Sequence, residues 1–253
     1  MRETILQKLS EIESEHDVKI LYACESGSRA WGFASPDSDY DVRFIYVHKA
    51  SKYLSIENMK DVIELPVNEL LDIAGWDIKK ALVLLRKSNA AIYEWLQSPV
   101  VYLKDENFHQ SICALMSVYF APLPGYHHYS SMAKNCLEND LKHEQVKLKK
   151  YFYALRPILA AKWIIDKMEV PPMEFNKLLP LITNSKVNDT IADLLKVKAV
   201  SDEKYLMPPV EILNSFIEEQ LAYCDSKKHL LTGKETDAEK LNQLFGQVIG
   251  IQP

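Results

Sequence analysis

At 253 residues, with 47% hydrophobic and 26% charged residues, the chain has the make-up of a globular protein of one large domain or two modest ones. A net charge of −5 argues against a basic nucleic-acid footprint over the whole surface, although charge can still be segregated into a local groove. The best apolar run, "ILAAKWII", is too short to span a membrane and is interrupted by Lys162. Cys24, Cys113, Cys136 and Cys224 lie far apart with no Cys-x-x-Cys pairing, and the first residues lack the apolar core of a leader. The expectation is a reduced, cytoplasmic protein without a zinc site, disulfide framework or membrane contact.

Residues 2–15 place Ile5, Leu6, Leu9 and Ile12 on one stripe, which predicts an amphipathic helix. "DVKILYAC" reads as a buried strand running into a Gly-Ser turn, and "YDVRFIYV" as a second strand rich in β-branched and aromatic residues. "DVIEL" and "ELLDI" flank Pro66, which suits a turn between strands. Gly75 marks the next boundary, and "WDIKKALVLLRKS" carries Ile78, Leu82 and Leu85 on one helical face. Beyond about residue 100 the strand signals fade. "DENFHQSICALMSVYFA" predicts a helix that stops at "PLPG"; residues 130–168 follow as long helical material, with a kink or break at Pro157. Proline-punctuated helices continue to the end. This pattern predicts an α/β module over 1–115 and an all-α module over 116–253.

The segment that carries chemistry is "ESGSRAWGFASPDSDYDVRFIYV", residues 25–47. Asp39 and Asp41 stand at i and i+2, so on a strand both carboxylates leave the same face and repel each other unless a cation lies between them. A divalent metal answers that conflict, and carboxylate plus phosphate oxygens are the hard donors that Mg²⁺ favours. Ahead of them, Gly27 opens backbone conformations closed to other residues and lets a phosphate approach the main chain. Ser28 offers a hydroxyl and a possible cap for the short helix "SRAWGF", whose first amides would face an anion; Gly32 ends that turn. An isolated Asp-x-Asp is a weak signal, usually two solvated aspartates. A phosphate cradle followed by a carboxylate pair is a stronger one.

"GSRAWGFASPDSDYDVRFIYV" resembles the signature of the DNA polymerase β-like nucleotidyltransferases, and its wording is similar to the branch associated with RNA-repair pathways. The likeness extends into "DIAGWDIKKALVLLRKSNAAIYEWLQSP" and "KKYFYALRPILAAKWI". The resemblance implies a mixed α+β fold: a small mixed sheet packed with helices, followed by a helical domain that closes over the nucleotide. It implies transfer of a nucleoside monophosphate from an NTP to an acceptor hydroxyl, with pyrophosphate leaving. Asp39 and Asp41 would then hold Mg²⁺, with Mn²⁺ as a substitute, while Ser28 and the amides after Gly27 would hold the β- and γ-phosphates.

The family also supplies a third acidic residue from a neighbouring strand. Asp72, flanked by Leu and Ile, is the first candidate for that catalytic and metal-holding place, with Glu64 and Asp77 in reserve. Against it, the spacing is short, no alternating strand is obvious around it, and Asp72 or Asp77 could instead cap the helix near Trp76. Arg43 would share the face of Asp41 and either pair with the aspartates or touch a phosphate. Arg29 suits the surface, although its position could serve the phosphates. Lys149, Tyr153 and Arg156 fall at i, i+4 and i+7 and line one helix face. That face could serve phosphate and base stacking, or lie solvated over a core of Phe152, Leu155 and Leu159. Ser131, Lys134 and Asn135 begin an earlier helix with a similar choice, and His127-His128 reads as loop.

Two classes of function remain open on sequence. One is a Mg²⁺-dependent nucleotidyltransferase whose acceptor is an RNA end, a protein side chain or a small molecule. The other is a catalytically silent nucleotide-binding or antitoxin-like protein, against which the intact Ser28, Asp39 and Asp41 and the long helical region speak.

Overall fold

The structure, a computed structural model, describes residues 1–66, 70–234 and 237–251. α1 (Arg2–His16) lays Ile5, Leu9 and Ile12 on the first sheet face, while Leu6, expected on the same stripe, is turned out to solvent. β1 (Val18–Glu25) leads into the short α2 (Gly27–Trp31), then a loop and β2 (Tyr40–His48). After α3 (Ala50–Tyr53), β3 (Val62–Glu64) and β4 (Leu71–Asp77) form an antiparallel pair either side of Pro66. Glu69, first residue of the predicted "ELLDI" strand, lies outside the described residues. α4 (Ile78–Arg86), α5 (Ala90–Trp95) and β5 (Val101–Lys104) complete the α/β part.

Among the described residues these strands form one five-stranded mixed sheet in the order β3-β4-β2-β1-β5, the β2–β4 pair being parallel. The predicted mixed α+β class therefore holds. Alternation sets the two faces. Val42, Phe44 and Tyr46 of β2, with Ile73 of β4, pack under α1, so Arg43, Ile45 and Val47 face the other way. A bulge between Ile20 and Tyr22 shifts β1, and Leu21 and Tyr22 both reach the second face.

That second face is covered by helices: α6 (Glu106–Tyr119), α7 (Pro122–Asp140), α8 (Leu148–Lys167), α9 (Phe175–Leu178), α10 (Ser185–Lys198), α11 (Glu211–Lys227) and α12 (Glu239–Ile249). A two-stranded ribbon, β6 (Val146–Lys147) with β7 (Leu206–Met207), joins the start of α8 to the chain after α10. One hydrophobic cluster runs from Ile45 and Leu82 through Phe108 to Leu159 and Ile217. α6 crosses residues 115 and 116, so the expected division falls inside a helix. Among the described residues no helix is long and apolar enough to cross a membrane.

Several local expectations are corrected. α6 ends just before "PLPG" as expected, but "PLPG" also begins the next helix, with Pro122 where a missing amide costs nothing. His127, His128, Ser131, Lys134 and Asn135 consequently lie within α7 rather than in a loop or at a helix start. α8 continues through Pro157, because Ile158, Leu159, Ala160 and Ala161 are all buried and their packing outweighs the lost backbone bond. Gly75 is the interior of β4, not a boundary: a Cβ there would lie 2.2 Å from the Phe44 ring, so the strand passes over an aromatic face that only glycine tolerates. β5 is a strand that fading sequence signals concealed; it pairs with β1 at the sheet edge.

Candidate active site

Asp41 and Asp72 are direct partners across the parallel β2–β4 ladder, which brings both carboxylates to the helix-covered side of the sheet. Around Asp72 the alternation is complete: Leu71, Ile73 and Gly75 are buried, and Asp72, Ala74 and Trp76 are partly exposed. Capping falls to Asp77, whose Oδ1 accepts from the Lys79 amide, so Asp72 is free of that duty. The other Asp77 oxygen accepts from the Tyr53 hydroxyl, and Glu64 sits on the edge strand β3, away from Asp41 in the register.

Of the two alternatives set for it, Arg43 takes the pairing with aspartates, although with Asp41 and Asp72 rather than Asp39. Its Nη2 lies 2.7 Å from Asp72 Oδ2 and 3.2 Å from Asp41 Oδ1, and Nη1 donates to the carbonyls of Val42 and Asp72. Burial pushes the Asp41 carboxyl above its ordinary range; Arg43 opposes that, while Asp39, Asp72 and Glu203 add like-charge repulsion. Asp39 is not on the strand, which begins at Tyr40. It is the exposed last residue of the preceding loop. Arg29 reaches across to that loop, donating to the carbonyls of Ser38 and Asp39 and stacking 3.8 Å from the Tyr40 ring centre. Its role is to hold Asp39 in place.

Gly27 has φ 61°, and a Cβ on it would lie 2.0 Å from Asp41 Oδ2. The turn thus presses its main chain against the carboxylate, which no other residue permits. Ser28 does not cap α2: Ser26 holds the cap position without a side-chain bond, and Ser28 is a buried residue inside the helix that donates to Ser38 Oγ at 3.2 Å. Gly32 ends α2 at φ 92° as expected.

Asp41 opens on a cleft of about 540 Å³ between the sheet and the helices. One wall is Ser26, Gly27, Trp31, Asp41 and Arg43; the other is Asn135 and Asn139 of α7 with Lys150, Tyr153 and Arg156 of α8. Tyr153 meets Trp31 edge-on at 5.8 Å, and its hydroxyl pKa is raised by burial and then by the negative charges of Glu203, Asp41 and Asp39. Arg156 borders the cleft but is not solvated, and its donors are engaged elsewhere. It is 2% exposed, donates to Glu94 Oε1 at 2.9 Å and to the Met173 carbonyl, and lies over Trp31. Lys149 pairs with Glu203 at 2.7 Å, beside the Tyr153 ring.

Sequence reasoning passed over Glu25, Trp31, Glu94, Lys150, Lys198 and Glu203. Glu25 alone had a local signal, a charge closing an apolar strand directly before the Gly-Ser turn; its Oε1 accepts from the Asp41 amide at 2.8 Å. The others matter through partners far away in the chain.

Among the described residues no three His, Cys, Asp or Glu side chains converge into a cluster able to hold an ion by themselves. Mg²⁺ seldom needs such a cage, since it binds through one or two carboxylates together with waters and substrate phosphates. Asp41 and Asp72, paired in register and backed by a glycine cradle that a Cβ would fill, supply hard oxygen donors of that kind.

A mixed sheet under helices, with a Gly-Ser turn pressed on an aspartate and a second aspartate beside it, is the arrangement of a DNA polymerase β-like nucleotidyltransferase. Residues 1–247 match the model of the RNA repair pathway DNA polymerase beta family (RlaP), and the chain belongs to that family. It is 42% identical over 247 residues to the Bacillus subtilis (strain 168) protein YcgL, covering 97% of this chain and 95% of that one. A nucleotidyltransferase-like protein from Exiguobacterium sibiricum 255-15 aligns with 96% of this chain and 79% of its own at 11% identity. Its TM-score of 0.30 is too low to bear on the fold.

Proposed function

We propose that the protein transfers a nucleoside monophosphate from an NTP to an acceptor hydroxyl. The observation that supports this most directly is the pairing of Asp41 with Asp72 across adjacent parallel strands, against Gly27, whose added Cβ would lie 2.0 Å from Asp41 Oδ2. Asp41 and Asp72, with Asp39 at the mouth of the loop, are the residues that would hold Mg²⁺ or Mn²⁺. A metal bound there would supply charge neutralisation on the phosphates and a lower pKa for the attacking hydroxyl.

The chain's own residues do the rest by position. Arg43 keeps two like charges 3 Å-scale neighbours of one guanidinium and so keeps the carboxylates aimed together. Trp31 and Tyr153 offer aromatic surface to a base, and Lys150, paired with Asp140 at 3.1 Å, places a cation at the edge of the same cleft. A polyphosphate lying on the turn at Gly27 would have Ser28 and Lys149 nearby, the two being linked through Ser38 and Glu203. α7 and α8 form the facing wall of the cleft. Positioning and electrostatics of this kind carry most of the catalysis in phosphoryl transfer.

The family's description points to RNA as acceptor. The test is incubation with each labelled NTP, Mg²⁺ and total RNA, protein or small-molecule pools, comparing wild type with Asp41→Asn. Label should pass to RNA, with loss of about 100-fold or more in the variant. Equal transfer by the variant overturns the reading, and label entering protein or small molecules instead of RNA overturns the acceptor. Label nowhere, with NTP bound, would mark a silent nucleotide-binding protein.

A further inference from the structure

Behind the Gly-Ser turn lies a polar network that joins Ser28 and Lys149 to a residue the proposed chemistry does not use, Glu203. Ser28 Oγ donates to Ser38 Oγ, which accepts the Ser35 amide as well and donates to Glu203 Oε1 at 2.8 Å. The other oxygen of Glu203 takes the Lys149 ammonium at 2.7 Å. Lys198, 2% exposed, donates to Ser35 Oγ at 2.8 Å. One ammonium and one hydroxyl therefore hold the Glu203 carboxylate directly, with Ser28, Ser35 and Lys198 linked behind them, and that carboxylate arrives from the exposed segment between α10 and β7.

A carboxylate that only accepts, from one ammonium and one hydroxyl, is chemically what a phosphate with two of its oxygens would be in the same place. Lys149 and Lys198 repel each other, and burial lowers the pKa of Lys198 while Glu203 counters it. An anion near both eases that repulsion. Burial also works against the charge of Glu203, yet its bonds to Lys149 and Ser38 outweigh this and hold its carboxyl below the usual range. The same charge repels Asp41 across the site. Its anchorage is slight: besides these two bonds, the Glu203 amide donates to Asp37, itself exposed. Partly exposed ion pairs of this kind are weak, whereas a polyphosphate brings several acceptors and more charge to the same donors.

We propose that Glu203 is a built-in occupant of the polyphosphate subsite, holding Lys149 and the Ser28–Ser38 hydroxyls when no nucleotide is bound and leaving as the phosphates enter. The inference rests on the nucleotidyltransferase reading for its ligand class. It makes the segment carrying Glu203 a gate: nucleotide binding must open it, and departure of pyrophosphate lets it return.

Inorganic tripolyphosphate is the probe, titrated calorimetrically at constant ionic strength into the full-length protein. Removing a competing occupant raises apparent affinity by the reciprocal of the competent fraction, so Glu203→Gln should bind about tenfold tighter than wild type and Lys149→Ala about tenfold weaker. Equal or weaker binding by Glu203→Gln overturns the proposal. Wild-type protein provides a second measurement that needs no variant: tripolyphosphate should speed tryptic cleavage after Lys204 several-fold as the segment is released. Unchanged or slower cleavage overturns it too. Neither readout needs transfer. Tighter binding by Glu203→Gln without NMP transfer from any NTP would defeat the nucleotidyltransferase reading alone, and transfer with unaltered Glu203→Gln affinity would defeat this one alone.

Discussion

Asp41 and Asp72 share one guanidinium nitrogen, Arg43 Nη2, at 3.2 and 2.7 Å. Like charges directly opposite on neighbouring strands are destabilising, and Arg43 is what makes the pair tolerable. Arg43→Ala should therefore lower stability by about 1–3 kcal/mol and leave the carboxylates wanting a cation. Mg²⁺ should then raise the melting temperature of the variant more than that of wild type. Thermal melts of both proteins with and without Mg²⁺ check this; an identical response would mean that the carboxylates do not bind the ion.

Glu94 is the hinge of a second network, accepting from Arg156, from the Tyr129 hydroxyl at 2.7 Å and from Trp31 Nε1 at 3.1 Å. Arg156 is buried, so Glu94→Ala leaves an uncompensated charge inside the protein at a cost of about 3–5 kcal/mol. For a chain of this size that corresponds to a fall in Tm of about 10 °C. A shift of only a degree or two in differential scanning calorimetry would show that Arg156 finds another partner.

Glu25 supports Asp41 from beneath and takes the Tyr102 hydroxyl on its second oxygen. Burial raises its pKa above the ordinary 4.5, so the native state binds this proton more readily than the unfolded chain. Stability from this group is therefore lost as pH rises from the ordinary value through the folded one, and the full cost is carried above that. Glu25→Gln cannot ionise. Its stability relative to wild type should improve as pH rises from about 4.5 towards neutrality and then level off. Urea unfolding of both proteins across that range tests it, and a pH-independent difference would exclude the burial penalty as the cause.

Much of the site was legible because its geometry is local. A glycine before a serine can take positive φ, and two residues apart on a strand means one face; neither depends on the rest of the chain. Even so, Asp39 fell one residue short of the strand, because Arg29 and Tyr40 hold the loop open up to that point. The alternation around Asp72 was present in "LDIAGWD" but masked by Gly75, which looks like a breaker until Phe44 is seen packed across it.

Arg156 shows where local reading stops. Helical spacing correctly put Lys149, Tyr153 and Arg156 along one side of α8, yet burial then divided them: Arg156 to Glu94, Tyr153 to the cleft, Lys149 to Glu203. Ser38 and Glu203 are 165 residues apart, and no pattern of period two or 3.6 links them.

What the amino-acid order determined by itself was the family, the Gly-Ser turn, the direction of the Asp41 carboxylate and the helical character of the later chain. These follow from covalent backbone limits and short-range periodicity. Which charges meet was decided only by tertiary structure. A buried ion must find its counter-ion wherever packing brings one, and the desolvation cost that enforces the match has no memory of sequence distance.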